Sequence, residues 1–137
     1  MHATPTEVLH QAMRLLPAKD MAGFVALYAD DAVMEFPFAP PGQPARVTGR
    51  AALAGYLLHY PELLDVREVT IGALHVTEDP EVVVAEINAA GFVVATGRPY
   101  ELRYIAVVTV RNGLIAHYRD YWNPLVAQEL LGGGLSR

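Results

Sequence analysis

Residues 115–124 read IAHYRDYWNP and follow Asn112-Gly113, a dipeptide that strongly indicates a tight β-hairpin turn. This stretch is therefore predicted to be the last strand of a sheet. Because side chains alternate between faces along a strand, Tyr118, Asp120 and Trp122 are expected to share one face. A lone carboxyl group between two aromatic side chains is either an accident that costs stability or a working acid or base.

Working back from this strand, the second half of the chain has the pattern of a meander. β-branched and alternating segments at 66–77, 82–95 and 100–111 are separated by turn signals, which is typical of strands. The first half has helical spacing at 5–16 and again from Asp20 to about 31, and a short strand follows at 32–38. Residues 39–48 are expected to form a loop. A short third helix starts at 48 or 49 and ends near Pro61, and a last helix begins at Asn123-Pro124.

Helices followed by an antiparallel meander indicate the α+β class. We predict a curved antiparallel sheet wrapped over N-terminal helices, forming a cone with an apolar pocket between the layers. Residues 1–137 are predicted to be a single domain, with 131–137 as a loose tail.

The composition narrows the function classes. The net charge of −5 and the absence of a basic stripe argue against a nucleic-acid partner. The chain has no cysteine, which excludes disulfides and thiol chemistry, and it has no segment long and apolar enough to span a membrane. A cytoplasmic location is the expectation, and the hydrophobic content of 53% suggests an apolar pocket, a subunit interface or both.

Three segments carry a resemblance to a known superfamily. They are FVALYADDAV at 24–33, TGRAAL at 48–53, and the ending NGLI…YRDYWNP at 112–124. Together with the order of elements, they resemble the SnoaL-like polyketide cyclases and the ketosteroid isomerase-like proteins of the nuclear transport factor two-like cone fold. Residues 77–80 and 84–86 are similar to the PhzA/PhzB branch of phenazine biosynthesis. The resemblance implies a cofactor-independent enzyme, with Asp120 at the acid/base position of the cyclases.

The resemblance does not extend to the ketosteroid isomerase machinery. Phe36, just before a proline, stands where those enzymes carry their catalytic aspartate. Their tyrosine and protonated aspartic acid, which hold the enolate oxygen, correspond to Ala12 and Ala106. A ketosteroid isomerase of the familiar type is therefore disfavoured.

Epoxide hydrolysis is disfavoured for the same kind of reason. The limonene epoxide hydrolases share the Arg-Asp-Tyr ending, but their water-holding tyrosine and asparagine correspond to Met34 and Phe36. Their arginine and second aspartate fall near Ile87 and Ala89. The same alignment points Ile87 and Ala89 inward and Glu86 outward.

Three residues are candidate catalytic groups. Asp120 is the leading acid or base, and the alternative is an exposed or salt-bridged carboxylate paired, for instance, with Arg103 or Arg119. Tyr104 either orients Asp120 or donates to a substrate oxygen, or it is a core tyrosine. His59, near the expected mouth of the cone, is a second proton carrier or a surface histidine.

The predicted substrate-binding residues are apolar or aromatic side chains expected to face the pocket. No group of His, Asp and Glu has the spacing of metal ligands, so no metal site is predicted. The predicted binding residues are Met34, Phe36, Phe38, Tyr56, Tyr60, Ala106, Tyr118 and Trp122.

The leading hypothesis is a cofactor-independent isomerase or cyclase that uses Asp120 on an apolar polycyclic or aromatic secondary metabolite. The alternative is a non-catalytic binding protein of the same fold, and an epoxide hydrolase is less favoured. A homodimer is expected, because Ile105, Val107 and Thr109 place a partly apolar stripe on the outer face of the sheet.

Overall fold

The computed structural model describes residues 2–127. The tail predicted at 131–137 lies outside this range. No helix within the described range is long and apolar enough to cross a membrane.

Two helices at the N-terminus supply one layer of the fold. α1 (Pro5–Leu15) begins with the expected capping box, in which the Glu7 amide donates to Thr4 Oγ1 at 3.2 Å and the Thr4 amide donates to Glu7 Oε1 at 2.9 Å. α2 (Met21–Ala26) is capped by Asp20, whose Oδ1 accepts from the Gly23 amide at 2.8 Å. Both helices bury their apolar sides against the sheet.

The other layer is one sheet, whose six strands within the described range have the spatial order β2-β1-β6-β5-β4-β3. All neighbouring pairs are antiparallel except β1 and β6, which are parallel. The strand bounds are β1 Tyr28–Glu35, β2 Arg46–Thr48, β3 Leu64–Val76, β4 Val82–Val93, β5 Pro99–Arg111 and β6 Leu114–Trp122.

The predicted α+β class and the curved sheet over helices are confirmed. Register shifts in the β3–β4 and β5–β6 pairs mark bulges, which increase the local twist and bend of a sheet. The main core lies between the layers, with Leu9 of α1, Tyr28 of β1 and Ile115 of β6 fully buried.

The boundary between the second helix and the first strand was predicted wrongly. The helix ends at Ala26 rather than near 31, and β1 starts at Tyr28. The cause is non-local, because Tyr28 pairs with Ile115 of β6 and the Ile115 amide donates to the Leu27 carbonyl at 2.8 Å. Pairing with a distant strand overrides the local helical pattern.

The stretch expected to be loop as far as residue 48 contains strand β2. Its three residues pair with β1, with Arg46 opposite Glu35 and Thr48 opposite Val33. The third predicted helix is divided into α3 (Arg50–Leu57) and α4 (Tyr60–Leu63), and α5 (Pro124–Ala127) follows β6. α3 packs against β1 and β2 at one edge of the sheet and buries Leu53 and Leu57.

Candidate functional site

A cavity of about 90 Å³ lies between the helices and the inner face of the sheet. β6 contributes three consecutive inward side chains, and β1, β3, β4, β5 and the helices supply the rest. The lining residues are Leu16, Met21, Phe24, Met34, Phe36, Tyr56, Leu57, Tyr60, Val66, Val69, Ala89, Leu102, Tyr104, Tyr118, Asp120 and Trp122.

Asp120 is the one residue among these lining side chains that has a carboxyl group. Its Oδ1 atom is buried and has no hydrogen-bond partner, and no ion pair among residues 2–127 includes it. Removal from water disfavours the charged form and raises the pKa of Asp120 from 3.8 to about 7. The structure therefore contains no salt bridge between Asp120 and Arg103 or Arg119.

Tyrosines surround this carboxyl group. Burial, and to a smaller extent the nearby Asp120 charge, raises the pKa of Tyr104 well above its usual value. Burial is also the largest cause of the raised pKa of Tyr118. The same two causes as for Tyr104, in the same order, raise the pKa of Tyr56. These hydroxyls therefore remain protonated near neutral pH and can donate hydrogen bonds.

Tyr104 is positioned beside Asp120 by strand register. It lies on β5 directly opposite Trp122 of β6. Asp120, the next inward residue of β6, lies opposite Ala106 and is therefore diagonal to Tyr104. The Tyr104 hydroxyl donates to Met13 Sδ at 3.8 Å. A thioether is a weak acceptor, so this hydroxyl can turn to a stronger acceptor at little cost.

A row of three aromatic rings forms one wall of the cavity. The Phe36 ring stacks on Trp122 with centroids 4.8 Å apart and an interplanar angle of 21°. On its other side, Phe36 meets Tyr56 at 5.4 Å and 40°. We call these three residues the aromatic row. It joins the end of β1, the end of β6 and α3.

Most of the sequence-predicted site residues meet at this cavity. Side chains alternate along β6 as expected, since Tyr118, Asp120 and Trp122 line the cavity. His117 points to the other face, where its Nε2 lies 2.5 Å from Glu35 Oε1. The predicted residues that line the cavity are Met34, Phe36, Tyr56, Tyr60, Tyr104, Tyr118, Asp120 and Trp122.

Three predicted site residues are elsewhere. The His59 side chain is 74% exposed, and its Nδ1 lies 2.7 Å from Glu62 Oε2 at the start of α4. Phe38 is 52% exposed and packs edge-on against Tyr121, outside the cavity. Ala106 is fully buried in the core, and its methyl group does not reach the cavity lining.

Sequence reasoning missed much of the apolar lining. Ala89 was expected to point inward and does line the cavity. Glu86, on the same strand, points outward, and its Oε2 lies 3.1 Å from His75 Nε2. Alternation from Tyr104 could also have identified Leu102. The other missed lining residues are Leu16, Met21, Phe24, Leu57, Val66 and Val69.

The described part of the chain contains no apparent metal site. No three side chains of His, Asp or Glu converge there in a way that could hold an ion. The cavity chemistry instead consists of one carboxyl group, several phenol hydroxyls and apolar walls.

The family model of the SnoaL-like domain matches residues 9–118 of this chain. The uncharacterised protein YesE of Bacillus subtilis is 41% identical over 127 residues, which cover 93% of this chain and 86% of YesE. An uncharacterised PhzA/B-like protein of Pseudomonas aeruginosa is 37% identical over 127 residues, covering 93% of this chain and 89% of the relative.

Solved structures give the same fold. A candidate isomerase from Bacillus subtilis superposes with a TM-score of 0.90 at 39% identity, covering 96% of this chain and 95% of that one. A candidate polyketide cyclase from Pseudomonas putida KT2440 superposes with a TM-score of 0.78 at 23% identity, covering 93% and 98%. The second likeness shows the fold alone.

Proposed function

Since the chain belongs to the SnoaL-like family, we propose that it is a cofactor-independent enzyme of the isomerase or cyclase type. In this proposal, Asp120 exchanges a proton with a carbon atom beside a carbonyl group of a small apolar substrate. The fold hosts many chemistries, so the proposal rests on the site rather than on the fold.

The observation that carries the proposal is the buried, unpaired carboxyl group of Asp120. A pKa of about 7 lets the group exist in both protonation states near neutral pH. General acid–base catalysis is most effective when the catalytic pKa lies near the working pH. A carboxylate with an ordinary pKa would be a weaker base and would rarely hold a proton to return.

The proposed reaction starts with transfer of the carbon-bound proton to the Asp120 carboxylate. The electron pair of the broken C–H bond moves toward the carbonyl oxygen and forms an enolate. Protonated Asp120 then returns the proton at another carbon in an isomerisation. In a cyclisation, the enolate carbon instead attacks a second carbonyl group, and the proton goes to the new alkoxide.

Tyr104 is the proposed donor to the developing enolate oxygen. Its hydroxyl stays protonated, donates to the weak acceptor Met13 Sδ, interacts with the Tyr118 hydroxyl, and lines the same cavity as Asp120. Hydrogen-bond donors placed where negative charge develops are a major source of catalysis. We expect Tyr104→Phe to lower kcat by about tenfold or more while the fold is retained.

The decisive test is Asp120→Asn, which keeps the shape of the side chain and removes the base. With 3-cyclohexenone as probe, wild type should accelerate formation of the conjugated enone, which is followed by ultraviolet absorbance. The variant should lose at least about 10²-fold in kcat/KM. Glu86→Gln, on the outer face, is the matched control and should leave the rate unchanged.

The pH profile gives a second readout of the same proposal. If ionised Asp120 is the base, kcat/KM should rise with pH and level off above about 7. A profile that levels off near pH 4 would mean that a carboxylate of ordinary pKa does the work. Full activity in a folded Asp120→Asn protein would remove the proposal altogether.

A ligand carrier is the second candidate function. It is favoured by the lining, in which aliphatic and aromatic side chains greatly outnumber groups that could act on a substrate. Tight binding of several ketones without turnover or solvent hydrogen exchange of any would support this candidate over the enzyme.

A further inference from the structure

The cavity beside Asp120 is small. Its volume is about 90 Å³. Pockets for drug-sized ligands usually measure about 300–1,000 Å³. A fused polycyclic molecule therefore exceeds the cavity by a wide margin.

Phe36 is one of the bulky side chains that bound this cavity. The side chain is 3% exposed and is held between Trp122 and Tyr56 in the aromatic row. It lines the cavity together with Asp120, so its ring occupies space next to the reacting carboxyl group.

The backbone holds Phe36 as firmly as the ring contacts do. Its amide donates to the Ala45 carbonyl at 2.8 Å, and its carbonyl accepts from the Ala39 amide at 2.9 Å. Pro37 follows and restricts the chain further. A substrate cannot displace the ring by swinging this turn without breaking both hydrogen bonds.

We propose that Phe36 is a specificity-determining residue, which restricts the site to compact neutral ketones with a single small ring or a branched chain of similar size. The inference rests on the proposed function for the choice of a carbonyl compound. It differs from the sequence-based expectation of a polycyclic or aromatic metabolite in the size of the substrate.

Trp122 provides the measurement, because it is the one tryptophan of the chain and lines the cavity. Its fluorescence should change when a ligand binds. Cyclohexanone, a two-ring decalone and a four-ring steroid ketone form a series of increasing size. Titrations in the Asp120→Asn background measure binding alone, so the size preference is tested even if the protein turns over no ketone.

We expect the Asp120→Asn protein to bind cyclohexanone at least about tenfold more tightly than decalone or the steroid ketone. Adding Phe36→Ala should reduce this preference by about tenfold or more, because removal of the ring leaves a void that larger ligands can enter. Phe36→Leu should shift the preference in the same direction to a smaller extent, and it covers the case in which the alanine variant does not fold.

Phe92→Ala is the control, because Phe92 is exposed, lies under the Arg67 guanidinium and is not among the residues that line the cavity. It should leave all three affinities unchanged. Equal or tighter binding of the two larger ketones by the protein with Phe36 intact would overturn the proposal. So would an unchanged size preference in both Phe36 variants, or failure of cyclohexanone to bind at millimolar concentration.

Discussion

Asp120 carries a stability cost that depends on pH. In the unfolded chain an aspartate has a pKa near 3.9, whereas the folded protein holds Asp120 at about 7. Between these values the unfolded chain releases a proton that the folded protein retains, so ionisation favours unfolding. The cost is absent below pH 4, grows between pH 4 and 7, and levels off above 7 at no more than about 4 kcal/mol.

Asp120→Asn should therefore stabilise the protein at pH 8 by up to a few kcal/mol and change little at pH 4. Urea denaturation of both proteins at several pH values measures this difference. Asp31→Asn, which alters an exposed carboxylate, should show no such pH-dependent gain. A stability difference that is independent of pH would mean that the Asp120 pKa is not raised.

At the level of single residues, alternation along β6 was sufficient to find Asp120 and its two aromatic neighbours. Alternation along the first strand failed for Phe38, because the strand ends at Glu35 and a turn between Phe36 and Ala39 breaks the alternation. His59 was expected near the mouth of the cone because it follows the third helix, but α3 ends at Leu57 and the imidazole lies against Glu62. Both errors depend on chain paths that no local pattern determines.

Among the elements, the β3–β4 pair depends on a glycine. A Cβ atom added at Gly91 would lie 2.0 Å from the Asp65 carbonyl oxygen, which is backbone and cannot rotate away. The adjacent register shift between Val66 and Glu68 fits this close approach of the two chains. Gly91 thus permits a bulge that helps to curve the sheet.

Gly91→Ala should destabilise the protein by about 2 kcal/mol or more, because one of two strands must move. Gly55→Ala in α3 is the matched control, since a Cβ there meets nothing within 4 Å. That change should stabilise by about 0.5–1 kcal/mol through helix propensity. Thermal and urea unfolding would measure both; equal effects would contradict the role assigned to Gly91.

The long strands and α1 could be predicted because each has a strong local signal. β4 and β5 have β-branched runs bounded by turns, and α1 has a capping box before an apolar stripe. β2 has only three residues and exists through its pairing with β1. The onset of β1 is likewise set by β6, a partner far away in sequence.

On the scale of the whole molecule, we propose that the outer face of the sheet pairs with a second copy of the chain. Ile105 is 43% exposed there, and Phe38 lies exposed against Tyr121 beside it. Exposed apolar patches of this kind usually mark interfaces. Sedimentation should then give a dimer mass at micromolar concentration.

Ile105→Glu should shift that mass toward the monomer, because two like charges would face each other across a symmetric interface. Leu58→Glu is the control, since this exposed residue follows α3 on the helical side of the fold. A monomeric wild type would contradict the proposed interface.

The parallel pairing of β1 with β6 has a consequence for synthesis of the protein on the ribosome. Tyr28 lies opposite Ile115, and Met34 lies opposite Tyr118. β1 can therefore pair with β6 only after the residues of β6 have left the ribosome. Until then, β1 exposes an unpaired edge and an apolar side, both of which favour aggregation. We expect nascent chains that end before β6 to depend on chaperones, and Asp120 to enter its apolar surroundings only in the last steps of folding.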